Sequence, residues 1–297
     1  MNVGRTAIAI SCACALLSVA GSTDRTSASK PGALGEPTAT PIPVFAGPGD
    51  VGWTYLGGWT GDGWISGLDA DRQYVVPPDE AGRPVRVTGL GVAEADAMLG
   101  ALTSTCLITT GPLIDAEIAP PTPPGYGYSA VALPGEWPLR PRPVAEIQSD
   151  DPIYRAAGQA AFAVSPVDAS LGEVAQIVLA DLDADGADEA VVAFEFAPDT
   201  LPGDPGVPGH FAAMVLVDPA TGASSTITSN FIDQASTSGG ASSEILVRSR
   251  ILDVVDLNGD STLEVLVSNW YLDGASVFAY EYDGTTLAEV FGSGCAA

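Results

Sequence analysis

Beyond Glu173 the apolar residues fall into short runs of strand length, each bounded by clusters of Asp, Gly, Pro, Ser and Thr. Runs at 175–180, 190–194, 211–217 and 224–228 predict four strands. Runs at 251–255, 265–267, 276–282 and 286–291 repeat the same order. The last two strands of each set are joined through Asp218-Pro219-Ala220-Thr221-Gly222 and Asp283-Gly284, residue types that suit tight turns. A Pro- and Gly-rich stretch at 198–209 lengthens the first unit and has no counterpart in the second. Two four-stranded repeats follow, able to form propeller blades or the two sheets of a sandwich. The sandwich is the preferred reading, because residues 51–144 lack the pattern that further blades would need.

The preceding region is less regular. Strand-like runs occur at 73–76, 85–87 and 106–109, and the alanine-rich stretch 93–102 predicts a short helix. Dense Pro and Gly over 112–143 predict long surface loops. A second helix is expected over 150–164, with Asp150 and Asp151 at its start and Pro152 in its first turn. The fold class is therefore mainly β, with a small irregular α/β N-terminal region.

The N-terminus reads as an export signal. Arg5 supplies the positive charge, residues 6–19 are apolar or small, and Ser18-Val19-Ala20 offers a cleavage site. That run is too short for a comfortable membrane span, so no stable span remains once the leader is removed. Residues 21–49, rich in Ser, Thr, Pro, Ala and Gly, read as a flexible tether. The expected division is a signal peptide at 1–20, a linker at 21–49, an irregular β-containing region at 51–165 and the repeat pair at 166–297. Cleavage leaves Cys106 and Cys295, which an exported chain would pair as one disulfide. A lipid anchor on Cys12 or Cys14 is the alternative to free secretion or a periplasmic location.

Between the first two strands of each unit lies an acidic loop. One runs Asp181-Leu182-Asp183-Ala184-Asp185-Gly186-Ala187-Asp188-Glu189, and the other Asp256-Leu257-Asn258-Gly259-Asp260-Ser261-Thr262-Leu263-Glu264. Aligned without a gap, both place oxygen-bearing side chains at positions 1, 3, 5 and 9. This is the spacing with which a short loop wraps a hard cation, and calcium suits it better than magnesium, which demands stricter octahedral geometry.

Each acidic loop, followed by its Val-rich strand, resembles the FG-GAP/VCBS-type repeats of integrin-like β-propellers and exported bacterial surface proteins. The resemblance covers residues 173–291. It implies that the loops bind calcium, through the Asp181, Asp183, Asp185 and Glu189 side chains with the Ala187 carbonyl. In the second loop the counterparts are Asp256, Asn258, Asp260 and Glu264 with the Thr262 carbonyl. Position 6, where such loops turn sharply, is Gly186 in the first loop but Ser261 in the second. The second loop also carries one carboxylate fewer, and both departures predict weaker binding there or none.

The net charge of −26 changes the picture further, because nucleic acid and anionic membrane would both be repelled. Trp53, Tyr55, Trp59 and Trp64 lie among glycines, as a small hairpin burying its aromatics or as a platform for sugar rings. Catalytic signatures are lacking. The single histidine, His210, beside the 198–209 insertion, reads as a solvated loop residue, and no spacing singles out a carboxylate pair among Asp62, Asp69 and Glu195. The expected function is an exported, non-enzymatic calcium-binding module with an extracellular protein or glycan as partner. The alternatives are a secreted carbohydrate-binding or carbohydrate-active protein, or an inhibitor presenting the 198–209 loop to an extracellular enzyme.

Overall fold

A computed structural model describes residues 42–49, 52–67, 81–104, 114–119, 128–198, 207–233, 246–271 and 274–296. The expected signal peptide, the run at 73–76, Cys106 with the run at 106–109, and most of the 198–209 insertion lie outside these residues. Three antiparallel sheets account for most of the described chain, which is mainly β.

The first sheet is built from β1 (Ile42–Gly49), β2 (Gly52–Trp59), β3 (Trp64–Ser66), β4 (Pro84–Gly89), β5 (Val92–Ser104), β6 (Ile114–Ala119) and β7 (Ala130–Leu133). Its order is β1-β7-β4-β5-β6-β2-β3, and it curls so that β1 also pairs with β2. Alternate residues of each strand point to opposite faces. Phe45, Trp53, Tyr55, Val87, Leu99 and Ala132 accordingly pack together on the concave side. Val44, Ala46, Val131 and Leu133 face outward into a second core.

This sheet corrects two sequence expectations. The tether to residue 49 includes β1, whose Val44, Phe45 and Ala46 are fully buried; the flanking prolines had masked a run of apolar residues at 42–46. The helix expected at 93–102 is part of β5. Ala97 and Leu99 are buried while Asp96 and Met98 are exposed, a period of two that the alanine content had hidden. Pairing with β4 across the Gly89-Leu90-Gly91 turn outweighs helix propensity, and an ion pair of 2.9 Å from Arg86 to Glu94 crosses the same two strands. The described residues from 42 to 133 thus form one seven-stranded sheet, with register shifts in three of its pairings.

The second sheet has the order β12-β11-β10-β9-β8, from β8 (Val144–Ile147), β9 (Glu173–Ala180), β10 (Glu189–Phe196), β11 (Phe211–Val217) and β12 (Ser224–Phe231). The third is a meander, β13-β14-β15-β16, from β13 (Arg248–Val255), β14 (Glu264–Tyr271), β15 (Gly274–Tyr282) and β16 (Leu287–Ala296). The eight strands expected from the repeat pattern are β9 to β16. An extra edge strand, β8, joins the first unit, so the boundary expected at 165 cuts through one sheet.

The four-stranded sheet lies between the other two. On one face Ile251, Val254, Val265 and Val267 meet Val178, Val191, Ala193 and Met214 of the five-stranded sheet. On the other, Leu252, Leu266, Val277 and Phe291 meet Val44, Leu56, Val131 and Leu133 of the curled sheet. Burial on both faces explains why 265–267 is an unbroken apolar run. Each such aliphatic side chain contributes about 1.5–3 kcal/mol.

The far face of the five-stranded sheet is covered by α1 (Pro152–Ala160). The Asp151 carboxylate caps the helix by accepting from the Ile153 N–H at 3.0 Å. The helix is shorter than the expected 150–164; residues 161–164 form turns instead. No helix among the described residues is long and apolar enough to cross a membrane.

Candidate metal centre

Both acidic loops leave an apolar strand at position 1 and re-enter one at position 9, so their end carboxylates are held by β-structure while positions 3 and 5 lie on the turn, exposed except at the half-buried Asn258. Leu182 and Leu257 at position 2 are fully buried and anchor each loop to the core. Four internal hydrogen bonds recur in both. The position-9 carboxylate accepts from the position-2 N–H, at 2.9 Å in Glu189–Leu182 and 2.7 Å in Glu264–Leu257. The position-1 carboxylate accepts from the position-6 N–H, at 3.3 Å in Asp181–Gly186 and 2.9 Å in Asp256–Ser261. Position 3 accepts from position 5, Asp183 from Asp185 and Asn258 from Asp260. Position 5 accepts from position 7 at 2.7 Å, Asp185 from Ala187 and Asp260 from Thr262.

This wiring turns the side-chain oxygens toward the loop interior. In the first loop Asp181, Asp183 and Glu189 each bring one carboxylate oxygen within 4.8 Å of the others, and this triad, exposed at Asp183, half-buried at Asp181 and buried at Glu189, could hold a metal ion. Asp185 lies outside that triad. Among the described residues the second loop forms no such triad of carboxylates: Asn258 occupies position 3, and its Nδ2 donates to Asp260 at 3.0 Å. Ser261 nevertheless adopts a left-handed φ of 73°, so the turn expected to require glycine is made without one.

The electrostatics of both loops are unbalanced. Burial pushes the Glu189 carboxyl above its ordinary range, against the Leu182 N–H, and Asp183 and Asp185 add repulsion. Glu264, fully buried, is pushed well above that range, chiefly by burial, with Asp260, Asp256 and Glu281 repelling it further. Asp256 is also raised by burial, although the Gly259 and Ser261 N–H groups oppose the shift. Asp181 Oδ1 and Glu264 Oε1 are buried and accept no hydrogen bond. An oxygen-lined site with orphaned buried acceptors fits a hard cation, which would supply the missing partner and the missing charge.

The segment that buttresses the loops lies within 112–143 but is packed against the core rather than forming a surface loop. Leu139 is fully buried and its carbonyl accepts from the Asp256 N–H at 2.8 Å. Trp137 donates its indole N–H to the Asp256 carbonyl at 2.9 Å. Arg142 reaches both loops, donating to the carbonyls of Asp181 at 2.7 Å, Leu182 at 3.2 Å and Ser261 at 2.8 Å. Its Nε also lies 3.6 Å from the Asp181 carboxylate. The Leu263 N–H donates to the Leu182 carbonyl at 3.1 Å, so the two loops are neighbours and share a backbone contact. Arg140 forms a 2.5 Å ion pair with the fully buried Asp253. No local signal marks these residues, because their partners lie more than thirty positions away.

Other candidates resolve into structural roles. Trp53 and Tyr55 are buried in the curled sheet, as the hairpin reading expected. Trp59 and Trp64 meet edge to face at 4.9 Å, and Trp64 donates to Glu281 at 2.9 Å. His210 is buried rather than solvated. Its Nδ1 accepts from the Val207 N–H, its ring meets Phe196, and burial lowers its pKa, helped by the Arg248 charge. Glu195 sits between Arg248 and Arg250, with contacts of 2.5 and 2.8 Å, and ties β10 to β13.

Comparison with protein-family models, with curated proteins and with solved structures finds no match to this chain.

Proposed function

We propose that this chain is an exported calcium-binding protein built on two FG-GAP/VCBS-like repeats, acting as a binding or structural module rather than as an enzyme. The reading rests foremost on the close grouping of one oxygen each from Asp181, Asp183 and Glu189 in the first loop, supported by the hydrogen bonds that recur in the second. All donors are oxygens, which favours calcium or magnesium over softer metals. Calcium is preferred because the loop mixes carboxylates with a backbone carbonyl and has no octahedral constraint built into it. Asp185 and the Ala187 carbonyl complete the first site, and Asp256, Asn258, Asp260, Glu264 and the Thr262 carbonyl form the second. The ion would neutralise carboxylates that repel one another and brace the turn between paired strands. Export is supported by Arg5 and the apolar leader after it, and a calcium-rich exterior suits sites with Kd on the order of 10⁻⁴–10⁻³ M.

Calorimetric titration of the purified protein with calcium tests this reading. The expected isotherm shows a tighter site abolished by Asp183→Ala and a weaker one abolished by Asn258→Ala. Wild-type protein giving no heat beyond dilution into the millimolar range would contradict it.

A further inference from the structure

β8 covers only part of β9. Its last pair is Ile147↔Ile177, yet β9 runs on to Glu173, still paired with β10 on its other side through Glu195↔Glu173. Residues 173–176 therefore present one edge that no strand among the described residues pairs with. Beyond Ile147 the chain swings away through Gln148, Ser149 and Asp150 to enter α1, leaving a cavity of about 620 Å³ between that segment and the open edge. An unpaired strand edge offers backbone donors and acceptors to an added strand, here across one bulge at Ala175, where the register with β10 shifts.

The walls carry charge. Asp150, Asp151 and Glu173 line the cavity against a single cation, Arg155, whose guanidinium is held by the Gly172 carbonyl at 3.0 Å. Three carboxylates against one arginine select a cationic occupant. A second copy of this chain would bring the same acidic edge and its net charge of −26, and is disfavoured by repulsion.

We propose that this notch binds a basic peptide in extended form, which adds as a short strand beside residues 173–176 and takes the place that β8 vacates. Main-chain hydrogen bonds to β9 supply the affinity. Lys or Arg side chains at alternate positions meet Asp150, Asp151 and Glu173, while the intervening residues face the other way. With only four edge residues the complex is weak and salt-sensitive.

Fluorescence anisotropy with a labelled Lys-Val-Lys-Val-Lys peptide, blocked at both ends, tests the proposal on the full chain. Saturable binding that weakens with added salt is expected. Two N-methylated versions, one for each alternating set of amides, separate strand addition from simple charge attraction. The set facing β9 should lose about tenfold or more, the worth of one or two backbone hydrogen bonds. The exposed substitutions Asp150→Lys and Glu173→Lys together should weaken binding by a similar factor without moving the melting midpoint. Absence of saturable binding by wild type, or equal binding of both N-methylated peptides and the parent, would overturn the proposal.

Discussion

Ser261 and Ala184 show how each acidic loop makes its turn. Positions 4 and 6 are left-handed in both loops, with φ of 68° at Ala184, 90° at Gly186, 83° at Gly259 and 73° at Ser261. Each loop thus needs two such residues and provides glycine at only one, the first at position 6 and the second at position 4. A non-glycine residue in this region is strained, so Ser261→Gly should stabilise the protein by about 0.5–1 kcal/mol, measured by chemical denaturation. The oxygen spacing was legible in the sequence because it is local. The turn at Ser261 was not, because the second loop carries its glycine at position 4, Gly259, and no local pattern shows that position 6 is left-handed as well. Glu195 carries a second residue-scale expectation. Burial alone would raise its pKa, but hydrogen bonds and charge from Arg250 and Arg248 outweigh that and hold it at about 2. A carboxyl lowered in the folded state stabilises above its unfolded value, 4.5, and loses that contribution as pH falls toward 2. Denaturation midpoints followed across this window should therefore drop, by up to about 3 kcal/mol in stability, and Glu195→Gln should flatten that part of the profile.

At the scale of elements, the strands β9 to β16 were readable because apolar runs and turn residues alternate on a short, regular spacing. β5 was misread, since alanine favours helix while only its partner β4 shows which period the chain obeys. β1 escapes the pattern because Pro43 and Pro48 interrupt it, yet both lie outside the Phe45–Gly47 stretch that pairs with β7, so neither has to donate on that side. The fit of α1 on its sheet is equally invisible in sequence. Gly158 faces Phe194 so closely that an added Cβ would lie 2.2 Å from the ring. Gly158→Ala should therefore destabilise by about 1–3 kcal/mol despite alanine's better helix propensity, and thermal unfolding would show it. A stabilised variant would mean that the helix can lift from Phe194 without loss.

For the molecule as a whole, the four-stranded sheet is central, and both acidic loops belong to strands that pack across its interface with the five-stranded sheet. Arg142 and the Leu263–Leu182 backbone bond link the two loops, so a cation in either braces the junction between sheets as well as its own turn. That coupling could not be read from sequence, because Arg142 sits in a Pro-rich segment with no motif of its own. A ligand that binds the folded chain but not the unfolded one stabilises it by about 2.7 kcal/mol at a hundredfold excess over Kd. The most direct test of the calcium account is the melting midpoint of the purified chain, measured by scanning calorimetry in excess calcium and again in chelator. The account expects a single transition several degrees higher in calcium, with Asp183→Ala removing most of the difference. A midpoint that is the same in calcium and in chelator would contradict it.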